Sequence, residues 1–145
     1  LDFAEIEQYQ SDGDWNGGAV ILGDAVTQVV MAGANCVAIC TNTTHLVFVQ
    51  ICDGINVTCL HTGDALGEFA SRNDYLCLGL LGTRFTMKES FLSDRLRRRF
   101  GIEVIIPVQV QRQAVHRIIY EELCHGELND SSRDVFLDVV EDLSH

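Results

Sequence analysis

A chain of 145 residues with 47% hydrophobic and 21% charged side chains can build a globular core, which excludes a disordered chain. Its formal net charge of -11 at pH 7 argues against nucleic acid as a partner, because phosphate groups would repel it. No apolar run is long enough to cross a bilayer and no signal peptide is recognisable, so we expect a cytoplasmic protein without a membrane partner.

Strands and helices are predicted to alternate along the first half of the chain. Residues 1–3 read as the end of a strand, residues 6–10 as a helical turn and residues 11–14 as a loop. A helix over residues 16–32 is apolar on most sides, and Gly33 follows it at the position of a left-handed C-cap. The later elements of this half are a strand over 36–40, a helix over 43–52, a strand over 56–60 and a helix over 62–71.

The polar residues 72–74 are the best candidate for a domain boundary, with one domain over 1–73 and a second over 74–145. Beyond this boundary the alternation of strands and helices restarts. The predicted elements are a strand over 76–81, a helix over 86–100, a strand over 104–106 that Pro107 stops, a helix over 111–124, and a last helix from Asp130 or Ser131. Such alternation predicts βαβ units with parallel sheets, that is, an α/β fold.

The most informative stretch is the apolar run at residues 36–40 and the hydroxyl and amide side chains that follow it. The run predicts a buried parallel strand, since it is continuously apolar and too short for a helix. Thr41, Asn42 and Thr43 then mark the turn into a helix, where such side chains serve as N-caps. Ligands bind at the carboxyl ends of strands in open α/β sheets, so we predict a site at this turn. Taken alone, Asn42 and Thr43 favour simple helix capping over ligand binding.

The sequence Cys-Thr-Asn-Thr-Thr-His at residues 40–45 resembles the signature of the cofactor-independent aspartate/glutamate racemase superfamily. It is most similar to the branch of broad-specificity amino-acid racemases in which a threonine takes the place of the first catalytic cysteine. Three further segments, residues 2–7, 80–87 and 118–123, resemble the family in the same order along the chain. Four motifs in register are strong evidence for the resemblance.

The resemblance implies a fold of two flavodoxin-like lobes with parallel sheets, and a site in the cleft between the lobes. The family's chain opens with a strand and a glycine-rich turn and closes with a strand that carries a second cysteine. Neither feature is found here. We therefore interpret the chain as a fragment in which both lobes are incomplete: residues 1–73 are the remainder of the first lobe, and residues 74–145 are the first part of the second.

The resemblance also implies an isomerase that racemises aspartate, glutamate or similar amino acids without pyridoxal phosphate or a metal. A base acts on one face of the α-carbon and an acid on the other. Thr41 takes the first catalytic position, and the second catalytic cysteine is missing, so these residues alone are expected to be inactive. The amino-acid substrate is the small-molecule partner, and whether the protein forms a homodimer is left open.

By the same resemblance, Asn42 and Thr43 bind the substrate carboxylate, and Gln10 is a further substrate contact. It is an equally good interpretation that Gln10 is an exposed loop residue without a role in binding. Thr83 and Thr86 begin the corresponding turn of the second lobe, where helix capping is the favoured interpretation.

Strand alternation puts Cys40 and Thr41 on opposite faces, so we predict that Cys40 belongs to the core. His45 could orient the turn, but a core or capping histidine is favoured. No Cys-x-x-Cys pair is present, and this pattern predicts reduced, packed thiols of a cytosolic protein. The six cysteines are Cys36, Cys40, Cys52, Cys59, Cys77 and Cys124.

Two other functions stay open. The first is a catalytically inactive racemase-like fragment that binds a small anion or a protein partner. Two features favour this alternative: the second cysteine is missing, and the acidic surface has Lys88 as its one lysine. The other is a related enzyme on the same scaffold, such as a hydantoin racemase or an arylmalonate-decarboxylase-like enzyme, which Thr41 alone does not exclude.

Overall fold

The structure, a computed structural model that describes residues 1–144, contains two compact units, Leu1–Ala65 and the residues from Leu66 onward. Each unit pairs a small parallel sheet with helices, so the predicted α/β fold with parallel strands is confirmed. The assignment of the lobes to residues 1–73 and 74–145 stays a prediction.

The first unit is built around two short parallel strands, in which Val37 lies opposite Cys59. Its helices supply most of a core that contains Ala19, Val26, Val37, Val47 and Ile51. The elements are α1 (Phe3–Asp12), α2 (Trp15–Met31), β1 (Cys36–Ala38), a 3-10 helix (Thr43–Val47), α3 (Phe48–Ile51) and β2 (Thr58–Leu60). Helix α4 (Thr62–Arg72) begins in this unit and continues past its end.

The predicted strand at residues 1–3 is wrong, because the chain is already helical from Phe3. The carboxylate of Asp2 caps this helix by accepting a hydrogen bond from the backbone N–H of Ala4 at 3.0 Å. An aspartate at the N-cap satisfies one of the unpaired amides of the first turn. Gly13 then ends α1 in the left-handed region, with φ of 72°, and Asp14 caps α2. Asp14 of the predicted loop is therefore a helix cap, whereas Asp12 is the last residue of α1.

The second unit also contains two parallel strands, with Leu78 opposite Val104. The elements are β3 (Cys77–Gly79), α5 (Arg84–Lys88), α6 (Phe91–Phe100), β4 (Glu103–Ile105), α7 (Gln109–Glu121), a 3-10 helix (Leu123–His125) and α8 (Asp130–Leu143). Two groups of buried side chains form its core: Ala70, Leu92, Leu96 and Ile102 in one, and Met87, Val115 and Val139 in the other.

The single helix predicted over residues 86–100 is two helices. Glu89 has an extended backbone, with ψ of 141°, and this residue separates α5 from α6. Both segments are amphipathic, so a periodic pattern runs through the break and hides it. The helix predicted over residues 43–52 is likewise a 3-10 helix followed by the one-turn α3.

The prediction of packed thiols is wrong for four of the six cysteines. Cys36, Cys40, Cys77 and Cys124 are exposed, and only Cys52 and Cys59 are half-buried; all six are free thiols. Side chains alternate between the two faces of a strand, and in β1 only the face that carries Val37 is buried. Cys40 is therefore not a core residue, and the strand that precedes the site is buried on one face instead of two.

Cys52 is expected to react more slowly than the exposed cysteines in the folded protein. Burial and, to a smaller extent, contact with the Cys59 thiol together raise the pKa of Cys52 from 9.0 to about 12. At about pH 8 the reactive thiolate of Cys52 is therefore rare, and iodoacetamide should modify Cys36 and Cys77 first. Peptide mapping by mass spectrometry measures the order of labelling.

Unfolding in urea supplies the control, since the difference in labelling should then disappear. The raised pKa of Cys52 also means that its contribution to stability is present below pH 9 and is lost as the pH rises towards about 12. Early modification of Cys52 in the folded protein would contradict this prediction.

Candidate functional site

Thr41 lies just beyond the carboxyl end of β1, where the chain turns into the 3-10 helix. Thr41 and Asn42 are exposed, whereas Thr43 is buried. Asn42 makes no side-chain capping hydrogen bond, although its carbonyl accepts the N–H of His45 at 3.0 Å. The turn thus presents one hydroxyl and one amide to the surface at the strand end where α/β proteins bind ligands.

Two side chains from the 3-10 helix hold the backbone of Thr41. The hydroxyl of Thr44 donates to the Thr41 carbonyl oxygen at 2.9 Å, and Nδ1 of His45 lies 2.9 Å from the same oxygen. The hydroxyl oxygens of Thr41 and Thr44 are also 2.5 Å apart. Side chains that bond to a nearby carbonyl compete with regular helical bonding, which accounts for the short 3-10 helix in place of the predicted longer helix.

His45 also connects this turn to the next strand of the sheet. Its Nε2 lies 3.1 Å from both the backbone nitrogen and the hydroxyl oxygen of Thr62. Thr62 follows β2 and begins α4, and β2 is the parallel neighbour of β1. The carboxyl ends of the two strands are therefore joined through one buried imidazole.

Two further rings surround His45. The ring of His61 packs edge-on against that of His45 at 4.5 Å, with an angle of 68° between the ring planes, and the ring of Phe48 is stacked on His45 at 5.5 Å. Nδ1 of His61 accepts the N–H of Gly63 at 2.9 Å. His45 and His61 are 3% and 5% exposed, so both rings are held in place by packing as well as by hydrogen bonds.

Gln10 is a buried residue of helix α1 and not an exposed loop residue. It lines a small cavity of the first unit together with Thr44 and Trp15. The structure thus brings Gln10 close to a residue that contacts Thr41. The predicted substrate-binding roles of Gln10, Asn42 and Thr43 stay predictions.

The corresponding turn of the second unit is held by its own threonines. The hydroxyl oxygen of Thr83 accepts the N–H of Thr86 at 3.3 Å, so Thr83 caps α5 as the favoured interpretation predicted. A Cβ atom on Gly82 would lie only 3.1 Å from Cβ of Thr86, which is 1% exposed. Glycine at this position therefore allows the close approach of Thr86.

His116 of α7 was not predicted as a functional residue, and its contacts lie far from it in the sequence. Its Nδ1 accepts the N–H of Arg84 at 3.3 Å, and its ring packs edge-on against Tyr120 at 4.7 Å. Burial lowers the pKa of His116 below the ordinary 6.5, and the positive charge of Arg84 lowers it further. A neutral imidazole suits the acceptor role towards Arg84.

Glu122 is another residue that the sequence did not single out, and its side chain is buried. Its carboxylate accepts hydrogen bonds from the Ser132 hydroxyl at 2.5 Å and from the Asn129 amide at 2.9 Å. Hydrogen bonds from Ser132 and Asn129 hold the pKa of Glu122 below its ordinary value, with a further contribution from Arg117. These bonds tie the end of α7 to the start of α8, which is a structural role.

Within residues 1–144 no helix is both long and apolar enough to span a membrane. Across the same part of the chain, no three His, Cys, Asp or Glu side chains are grouped so that they could hold a metal ion.

The comparisons with known proteins agree with one another. A family model described as Asp/Glu/Hydantoin racemase matches residues 1–145. The crystal structure of a protein from Yersinia pestis, proposed to be an Asp/Glu racemase, is similar with 42% identity and a TM-score of 0.86. The match covers 99% of this chain and 63% of that one.

A second crystal structure, of an aspartate racemase homologue from Pyrococcus horikoshii OT3, is similar with 33% identity and a TM-score of 0.74. It is matched over 94% of this chain and 59% of its own chain. The chain therefore spans about six tenths of the length of these solved relatives.

Proposed function

This chain belongs to the Asp/Glu/Hydantoin racemase family, and we propose that the protein it forms racemises an amino acid at the α-carbon without pyridoxal phosphate or a metal. Aspartate, glutamate and similar amino acids are the proposed substrates. Inversion of the α-carbon needs one group that removes the proton from one face and another that returns a proton to the opposite face.

The observation that carries the proposal is the position of Thr41. Its side chain is exposed at the carboxyl end of a parallel strand, and buried neighbours hold its backbone. A preorganised group at a strand end is suited to act on a bound ligand. We assign Thr41 the proton transfer on one face. A hydroxyl is a much weaker base than a thiolate, so the transfers on the two faces should differ in rate.

Neighbouring polar groups are proposed to bind the substrate carboxylate. Asn42 is exposed next to Thr41, and Thr43 begins the 3-10 helix. Gln10 lines the cavity behind Thr44 and is assigned a supporting contact. Amide and hydroxyl groups can donate hydrogen bonds to a carboxylate, and bonds to a charged acceptor are stronger than those between neutral groups.

The second proton-transfer residue is proposed to be a cysteine that these 145 residues do not supply. Cys124, Cys52, Cys59 and Cys77 are not proposed for this role, since none follows a strand at a turn like that of Thr41. The intact mass of the protein isolated from its source tests this part directly. A mass well above 16.1 kDa would support a longer racemase, whereas a mass of 16.1 kDa would contradict the assignment.

Exchange of the α-proton tests the proposed activity. The protein of natural length is incubated with L-aspartate or L-glutamate in deuterated water, and the α-proton signal is followed by NMR. We expect loss of this signal in the unmodified protein and in Thr58→Ala, which changes an exposed threonine of β2. Thr41→Ala should exchange at least about 100-fold more slowly, in line with the typical effect of a general acid or base.

Exchange that continues unchanged in Thr41→Ala would remove Thr41 from the mechanism. No exchange in the folded, unmodified protein would contradict racemisation of these two amino acids. The 145-residue chain alone is expected to be inactive, and Thr41-dependent exchange by this chain would show that no second cysteine is needed.

A further inference from the structure

We propose that His45 is a positioning residue: as the neutral Nδ1–H tautomer, bound between the Thr41 carbonyl and the Thr62 amide, it holds the Thr41 hydroxyl with its lone pairs directed outward. This inference rests on the proposed role of Thr41. The inference explains why the Thr41 hydroxyl has one particular orientation.

The tautomer follows from the two backbone partners of the ring, the Thr41 carbonyl and the Thr62 amide. A carbonyl oxygen can only accept, so the contact of 2.9 Å between Nδ1 and the Thr41 oxygen needs a proton on Nδ1. A backbone amide can only donate, so Nε2 must offer its lone pair to the N–H of Thr62 at 3.1 Å. Both requirements are met by one species, the neutral ring with its proton on Nδ1.

The direction of the Thr41 hydroxyl follows from its contact with Thr44. The single hydroxyl proton of Thr44 is donated to the Thr41 carbonyl oxygen. The proton between the two hydroxyl oxygens, which are 2.5 Å apart, must then come from Thr41. With its proton turned inward, the Thr41 oxygen offers lone pairs to the surface.

His45 makes this arrangement depend on the neighbouring strand. The Thr41 carbonyl receives one bond from Thr44 and one from His45, and only His45 continues to Thr62 at the end of β2. His45 is 3% exposed and Thr44 is 4% exposed, so water does not readily replace either bond. A shift of β2 relative to β1 would thus move Thr41, and small displacements of a reacting group reduce the rate strongly.

The first test is a measurement on the unmodified protein. Nitrogen NMR of the protein of natural length, labelled with 15N-histidine, reports which ring nitrogen of His45 carries the proton. We expect the Nδ1–H tautomer for His45, with its signal identified by its loss in His45→Asn. A proton on Nε2 alone, or on both nitrogens, at neutral pH would overturn the proposal. This readout does not depend on activity.

The second test uses two substitutions that each retain one of the two ring positions. The amide of His45→Asn reaches the place of Nδ1 and can still donate to the Thr41 carbonyl. The amide of His45→Gln reaches the place of Nε2 and can keep only the bond to Thr62. If His45 acts by positioning Thr41, kcat for α-proton exchange should fall by up to about 100-fold in His45→Gln and by clearly less in His45→Asn.

The Michaelis constant KM should change little in either variant, because His45 does not contact the substrate. Equal losses of kcat in the two variants, or a change confined to KM, would overturn the proposal. If both variants unfold, the nitrogen spectrum of the unmodified protein alone decides whether the proposal holds. An inactive protein in which His45 carries its proton on Nδ1 would contradict the proposed function and still support the positioning geometry.

Discussion

Replacement of Ile51 by alanine should lower the free energy of unfolding by about 2–5 kcal/mol, the range measured when a buried isoleucine becomes alanine. Ile51 is 1% exposed at the end of α3 and belongs to the core of the first unit. Val37 of β1 and Val47 of the 3-10 helix belong to the same core. The loss combines the transfer free energy of the removed methylene groups with the cavity that a close-packed interior fills only in part.

Val49→Ala is the matched control, since Val49 lies in the same short helix and is 76% exposed. Its substitution should change the free energy of unfolding by no more than about 0.5 kcal/mol. Urea unfolding followed by circular dichroism measures both variants. Similar losses in the two variants would mean that the helix itself, and not the packing of Ile51, determines the stability of this region.

Gly67→Ala is expected to destabilise the protein, although alanine is the better helix former. Gly67 lies inside α4, and a Cβ atom built there would be 2.2 Å from Cδ2 and 2.4 Å from Cε2 of Phe100. Glycine to alanine in a helix normally stabilises by about 1 kcal/mol. Displacement of the Phe100 ring from the core costs about 1–3 kcal/mol. The cost should exceed the gain, and the melting temperature should fall.

Gly23→Ala in α2 is the matched control, because a Cβ atom at Gly23 would meet its nearest neighbour, the Ile51 carbonyl oxygen, at 3.6 Å. This is an ordinary contact, so the helix preference alone should act and stabilise by about 0.5–1 kcal/mol. The two substitutions should thus have opposite signs in thermal unfolding. Stabilisation by Gly67→Ala would show that Phe100 moves without loss of packing.

The sequence alone predicted the strand before Thr41 and the alternation of strands and helices. These features depend on local chemistry. The apolar run before Thr41 predicted β1, and Gly33 has the predicted left-handed backbone, with φ of 102°. The parallel pairing of β1 with β2, and of β3 with β4, also followed from the helix between the strands of each pair. Residues close in sequence are sufficient for such predictions.

Other features were decided only by the tertiary structure. The exposed face of β1 made Cys40 a surface residue, because burial depends on which elements cover a strand and not on the strand's own composition. The bond between His45 and Thr62 joins residues 17 positions apart, and that between Arg84 and His116 joins residues 32 positions apart. No sequence pattern predicts either contact, because the distance between two side chains in different elements is set by the packing of those elements. The proposed positioning of Thr41 depends on the first of these contacts, the bond between His45 and Thr62.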